Sequence, residues 1–172
     1  MTRDEPLSRT CSQPRNCSLA RALEIVGEWW SLLVVRETFF GAHRFQDYVD
    51  NLGIARNILS ARLKRLVGAG VLARIEGEGG TVEYRLTAKG EALMPVLVAL
   101  LQWGDAHANP EPKPVILVDR QHGQPIAPLT LQAADGRPLG PRDIRALPGP
   151  GADDNLRRRL APRRMTRVAD GA

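Results

Sequence analysis

Residues 53–70, GIARNILSARLKRLVGAG, limit what this chain can fold into more than any other stretch. Ile54, Ile58, Leu59, Leu63, Leu66 and Val67 recur at helical spacing and predict one buried face. The other face carries Arg56, Asn57, Ser60, Ala61, Lys64 and Arg65. These are small, amide, hydroxyl and basic side chains, the kinds that meet base edges and phosphates in a DNA major groove. Gly70 stands where helices commonly end on a left-handed residue. Just upstream, residues 44–52 (RFQDYVDNL) predict a second short amphipathic helix joined through Gly53, the order of a helix-turn-helix. A basic amphipathic helix is more often a solvated surface helix than a reader of nucleic acid, so the pair alone decides little. The segments downstream of Gly70 weigh more: residues 71–76 (VLARIE) and 81–87 (TVEYRLT) are β-prone and flank the turn EGEGG. Helix, turn, helix and hairpin in that order predict a winged helix with double-stranded DNA as its partner.

Residues 1–16 are polar and contain Pro6 and Pro14, and are expected to form a flexible arm. Residues 17–26 predict a first helix with Leu19, Leu23 and Val26 on one face, closed by Gly27. Residues 28–40 (EWWSLLVVRETFF) are too apolar for a surface helix and predict the central core helix. Trp29 and Trp30 are expected in core and helix-junction packing rather than as a stacking platform. After the hairpin, residues 88–107 predict a long helix capped by Thr87, which Pro95 should bend or break. Its Leu93, Val96, Leu97, Leu100, Leu101 and Trp103 exceed what one winged helix must cover, which suggests a homodimer interface shared with the first helix.

At Asn109 the composition shifts. Residues 109–113 form a proline-rich linker, and 114–148 hold short β-like pieces at 114–118, 124–126, 129–132, 137–139 and 143–147. The expected fold class is therefore α+β. A winged helix-turn-helix domain (17–108) precedes a small β-rich appendage packed on it. Residues 149–172 are expected to be a disordered basic tail with at most one helical turn at 155–160.

Composition narrows the function. A hydrophobic content of 43% and a charged content of 25% describe a soluble globular chain, and a net charge of +5 favours a polyanionic partner. No apolar run approaches the roughly 20 residues of a membrane helix, and the N-terminus lacks an apolar signal core, so a cytoplasmic location is expected. There is no Ser/His/Asp arrangement, no phosphate-cradling glycine loop and no pair of histidines at metal spacing, so no enzyme and no cofactor are expected. The two cysteines, Cys11 and Cys17, are too few for a disulfide framework and lack the partners of a zinc site.

The linked motifs CSLARALEIVGEWWSLL, RFQDY, GIARNILSARLKRL, VEYRLTAKG and LQWGDAH, spread from Cys17 to His107, resemble the HxlR-type bacterial transcription regulators in order and spacing. The resemblance implies a homodimeric winged-helix regulator of operator DNA. Helix 55–67 would enter the major groove, the hairpin would approach flanking backbone or minor groove, and the first helix and the helix after the wing would dimerise. Two departures are visible: GEWW replaces the more usual GKW or GERW, and Glu76 and Glu78 at the wing tip would repel phosphates. Either Arg74 and Arg85 carry the wing contact or the wing adds little. The appendage is also similar to that of longer relatives in which cysteines surround the turns. Here those turns read RQHG and QAADG, and His122 alone cannot hold a metal.

On this reading Arg56, Asn57, Ser60 and Ala61 face bases, while Arg44, Arg62, Lys64, Arg65 and Arg74 approach phosphates. Spacing alone leaves open whether Arg62 faces DNA or the protein. The expected function is a DNA-binding transcriptional regulator, a repressor in its default mode, acting on a palindromic operator. Its input is either redox, through Cys17 at a helix start with Cys11 as resolving thiol, or a small apolar ligand between the core helix and the long helix or beneath the appendage. A small buried residue in the dimer interface is the plainer reading of Cys17. The rival is a protein-interaction or RNA-binding winged helix without operator specificity.

Overall fold

Ser31, Val34, Val35, Glu37 and Thr38 bury one side of helix α2 (Trp29–Phe39) almost completely, and the two helices that follow it and the hairpin pack against it. The structure, a computed structural model, describes residues 17–108 and 112–161. They fall into two compact units, one of Arg21–Leu129 and one drawn from both chain ends, of which residues 17–20 and 130–161 are described. The expected arm 1–16, linker residues 109–111 and tail residues 162–172 lie outside the described residues.

Helix α1 (Ser18–Val26) leads through Gly27 into α2, whose N-cap Glu28 accepts the Trp30 backbone N–H at 3.1 Å. Helices α3 (Phe45–Leu52) and α4 (Arg56–Gly68) come next, joined by Gly53 in the left-handed region at φ 61°, where a side chain would be strained. Strands β1 (Leu72–Glu76) and β2 (Val82–Leu86) pair antiparallel with Leu72 opposite Leu86 and Glu76 opposite Val82. The chain at His43–Arg44 adds to the free edge of β2: Tyr84 donates its N–H to the His43 carbonyl at 2.8 Å, and Arg44 bridges Glu83. The wing is thereby tied to the start of α3 as well as to α4.

The predicted apolar stripe of α4 is the core face. Leu59, Leu63 and Leu66 are fully buried with Ile54, and Ile58 and Val67 pack partly against them. Burying an aliphatic side chain contributes about 1.5–3 kcal/mol, so these residues fix α4 on α2. Trp30 packs on the core as expected. Trp29 does not: it is 76% exposed, because adjacent helix positions point about 100° apart and the core takes Trp30 and Ser31.

A buried hydroxyl pair links α2 to α3. Thr38 Oγ1 and Tyr48 Oη lie 2.9 Å apart, Tyr48 donates to the Ala42 carbonyl at 2.9 Å, and the Tyr48 ring meets Tyr84 edge-on. Burial pushes the Tyr48 hydroxyl up to about 12. Below pH 10 both folded and unfolded chains keep this proton. Above it the unfolded chain releases the proton while the folded chain holds it, so stability falls by roughly 1.4 kcal/mol per pH unit up to about pH 12. Tyr48→Phe is expected to be about 1–3 kcal/mol less stable at pH 8, since the Ala42 carbonyl loses its donor. By pH 11 the gap to the parent should narrow, a comparison made by urea denaturation at the two pH values.

The helix predicted over 88–107 is broken into α5 (Ala88–Glu91) and α6 (Met94–His107), with Pro95 in the first turn of α6. Proline has no N–H to donate and its ring crowds the carbonyl four residues back, at Glu91, where α5 ends. Below α6, Gln102 accepts the Leu129 N–H at 2.8 Å, which ties the chain after the linker to this helix.

The β appendage is less regular than expected. Val118 and Pro125 form a single bridge around a turn whose cap is Asp119, which accepts the N–H groups of Gln121, His122 and Gln124 and sits below the usual carboxylate range for that reason. In the second unit, β3 (Leu131–Gln132) and β4 (Pro138–Leu139) make a two-residue ladder around Gly136. Residues 143–147, expected as a strand, instead begin inside the 3-10 turn Pro141–Asp143 and form no ladder among the described residues, because Asp143 caps Gly140 rather than extending the chain. The described part of the tail holds α7 (Asp154–Leu160), longer than the single turn expected, because Asp153 caps it by accepting the Leu156 N–H at 2.7 Å.

Candidate nucleic-acid interface

Asn57, Ser60, Ala61 and Lys64 stand at positions i, i+3, i+4 and i+7 of α4 and so share one face of the helix. All four are exposed, and Asn57, Ser60 and Lys64 make no side-chain hydrogen bond or ion pair among the described residues. The face is about two turns long, lies opposite the buried leucines, and presents an amide, a hydroxyl, a methyl and an ammonium. An amide can bond an adenine edge in two places, a small side chain admits close approach, and an ammonium meets phosphate.

The arginines predicted beside this face divide differently. Arg56 remains exposed at the N-terminus of α4, but Nη2 donates to Gln46 Oε1 at 2.6 Å and its guanidinium lies 5.9 Å over the Phe45 ring. Gln46 in turn donates to Asp50 at 2.5 Å, so the start of α4 is held in register on α3. Arg44 is exposed at the N-cap of α3. Its backbone N–H and that of His43 are accepted by Asp47 Oδ2, which holds the Asp47 carboxyl below its ordinary range.

Three of the expected phosphate contacts are turned to internal partners. Arg62 is half-buried with Nε 2.9 Å from Glu28 Oε2, so it faces the protein and links α4 to the start of α2. Arg65 donates to the Glu24 carbonyl in the last turn of α1, an acceptor that a helix end leaves without an intrahelical donor. On the wing, Arg74 is paired with Glu76, two residues along the same strand face. Arg85 is paired in the same way with Glu83 at 2.7 Å and reaches His43 Nε2 at 3.1 Å. Each wing arginine is thus neutralised by a neighbour, which favours the reading in which the wing adds little to phosphate attraction.

Sequence reasoning missed the partners themselves: Gln46, Glu28 and the Glu24 carbonyl. The Glu28–Arg62 pair joins segments far apart in the chain, and no local period reveals it. It also missed the lock behind the wing. Thr87 caps α5 as expected by accepting the Gly90 N–H, but its Oγ1 also donates to the carbonyls just past α4, Gly70 at 2.6 Å and Val71 at 3.2 Å, and Lys89 Nζ donates to the Ala69 carbonyl at 2.7 Å. The segment TAKG is therefore the clasp that sets the wing against α4.

The candidate redox residue, Cys17, is a half-buried free thiol whose Sγ accepts the Ala20 N–H at 3.4 Å at the start of α1. Cys11 lies outside the described residues. No group of three His, Cys, Asp or Glu side chains among the described residues is placed to hold a metal, and no described helix is long and apolar enough to cross a membrane.

The second helix of a helix-turn-helix with a free polar face, seated on a leucine core and backed by a clasped hairpin, defines a winged helix-turn-helix fold. The chain belongs to the HxlR-like helix-turn-helix family, whose model matches residues 25–112. It is 41% identical over 137 residues to the uncharacterized HTH-type transcriptional regulator Rv3095 of Mycobacterium tuberculosis, covering 78% of this chain and 87% of the relative. Among solved structures it is similar to PA1607, described as a candidate transcription factor, at 46% identity and a TM-score of 0.72, covering 76% of this chain and 93% of that one. A second, PA1374 from Pseudomonas aeruginosa, shares 39% identity with a TM-score of 0.59, over 84% of this chain and 100% of its own. The chain is a transcriptional regulator with a helix-turn-helix DNA-binding fold.

Proposed function

We propose that this regulator is a homodimeric repressor that reads a two-fold symmetric operator with α4, and that its DNA affinity responds to redox state or to a small ligand. The observation that carries the reading is the unpartnered row Asn57, Ser60, Ala61 and Lys64, left free while the neighbouring Arg62 and Arg65 are tied down within the protein. Arg56 and Arg44 flank the row and supply positive charge at its N-terminal end. Dimerisation is supported by Val96, Leu100 and Trp103, an exposed stripe along one side of α6, and by the exposed Leu19 and Leu23 of α1. Two reading helices related by a dyad would match half-sites about 34 Å apart.

The test is a binding titration against the promoter DNA beside the protein's own gene, with a scrambled duplex as control. Binding of two chains per duplex that prefers the promoter at moderate salt supports the reading. Equal and strongly salt-dependent binding to both duplexes would leave only charge attraction and point to the interaction-module alternative.

For the redox arm, the support is a half-buried free thiol at the start of α1, its Sγ accepting the Ala20 N–H. Peroxide treatment is expected to change promoter affinity in the parent and to leave Cys17→Ser unchanged. The same response in both proteins would remove Cys17 as the sensor.

A further inference from the structure

A groove of about 780 Å³ runs through the first unit between α2, α6 and residues 114–117. Its walls include Trp29, Leu32, Phe40, Leu97 and Leu101, and its volume is that of a site for a drug-sized molecule. Four charged residues border it. Glu28 is paired with Arg62, and Glu37 takes both Arg36, at 2.6 Å, and the Asn51 amide, at 3.0 Å. Asp105, half-buried on α6, has no side-chain hydrogen bond or ion pair among the described residues. Lys113 borders a smaller neighbouring cavity together with Asp105, yet forms no ion pair with it. The groove is thus lined by aromatic and aliphatic side chains with one carboxylate left over.

We infer that this groove binds an apolar organic cation, an aromatic amine or onium compound, with its charge at Asp105 and its hydrophobic body against Trp29, Phe40 and Leu101. A lone carboxylate on an apolar wall is costly to desolvate unless a cation meets it, and aromatic faces attract the same cation. An anion would meet the unpaired Asp105, since Arg36 on the groove wall already serves Glu37. A second copy of the chain is a poorer occupant. Of the exposed stripe Val96, Leu100 and Trp103 on α6, only Leu100 also borders the groove, whereas Leu97, Leu101 and Asp105 line it and lie outside that stripe. The inference extends the ligand arm of the proposed function, and it is tested without DNA so that either can fail alone.

The probe pair is tetraphenylphosphonium and tetraphenylborate, which share shape and size and differ in sign. Titrations of the full chain follow tryptophan fluorescence and heat. One phosphonium per chain is expected, about tenfold tighter than the borate, with the preference lost in Asp105→Asn. Leu101→Lys, which places a cation in the groove, is expected to abolish phosphonium binding while thermal unfolding shows the variant folded. Equal affinity for the two ions, no binding of either, or unchanged phosphonium affinity in Asp105→Asn overturns the inference. Binding that appears only on dilution, as the chains separate, would assign the groove to a second copy and overturn it equally.

Discussion

Gly90→Ala is expected to destabilise the winged helix by about 3 kcal/mol, a fall in Tm of about 10 °C. Gly90 is buried at the third position of α5, and a Cβ there would sit 2.3 Å from the Val71 carbonyl oxygen and 2.8 Å from Leu86 Cδ2. The leucine tip can rotate; the carbonyl cannot, because it accepts the Thr87 N–H at 3.1 Å and lies at the junction of α4 and β1. Relief of the clash therefore has to move α5 off that junction and open the Thr87 clasp. The variant should lose stability and, at a temperature where it is still folded, bind DNA with a mispositioned wing. Calorimetry checks the first effect. Gly104→Ala serves as control, since a Cβ there meets nothing within 4 Å and alanine suits a helix better. A Gly90→Ala protein melting within about 2–3 °C of its parent, a change of under about 1 kcal/mol, would show that the clasp yields readily.

How far the sequence could be read depended on whether a feature is local. The buried face of α4 was legible because Leu59, Leu63 and Leu66 repeat at the helical period, and the free face opposite it came by subtraction. The break near Pro95 was legible because a missing N–H is a property of the residue. The turns of the appendage were legible at Gly123 and Gly136, both at positive φ. Its strands were not, since β-prone pieces pair only where a partner edge is in reach, and residues 143–147 have none among the described residues. The fate of each arginine was illegible for a related reason. Arg65 donates to a carbonyl 41 positions away, and Arg62 forms an ion pair with a carboxylate that sequence reading treated only as the start of α2. A side chain of that length covers many directions, and only the fold selects one. The same holds for Asp105, which became notable only when its surroundings proved apolar and its neighbours proved to be paired elsewhere.

That sorting of arginines separates two kinds of loss on DNA. Asn57→Ala should cost about 1–3 kcal/mol at the base pair it reads and relax specificity there, with little change in salt dependence. Lys64→Ala should weaken every duplex alike and lower the salt slope by about one. Arg62→Ala should do neither: its guanidinium holds Glu28, the cap of α2, and its removal should instead lower stability. Fluorescence anisotropy at several salt concentrations, with the promoter, single-base variants of it and a scrambled duplex, resolves the three. A salt slope lowered in Arg62→Ala as much as in Lys64→Ala would mean that the Glu28 pair opens on DNA and that the arginine turns to phosphate. An unaltered base preference in Asn57→Ala would place the reading face elsewhere on α4, around Arg56 and the Gln46 that now holds it. The protein would then have to break that hydrogen bond to bind, and Gln46→Ala would tighten promoter binding rather than weaken it.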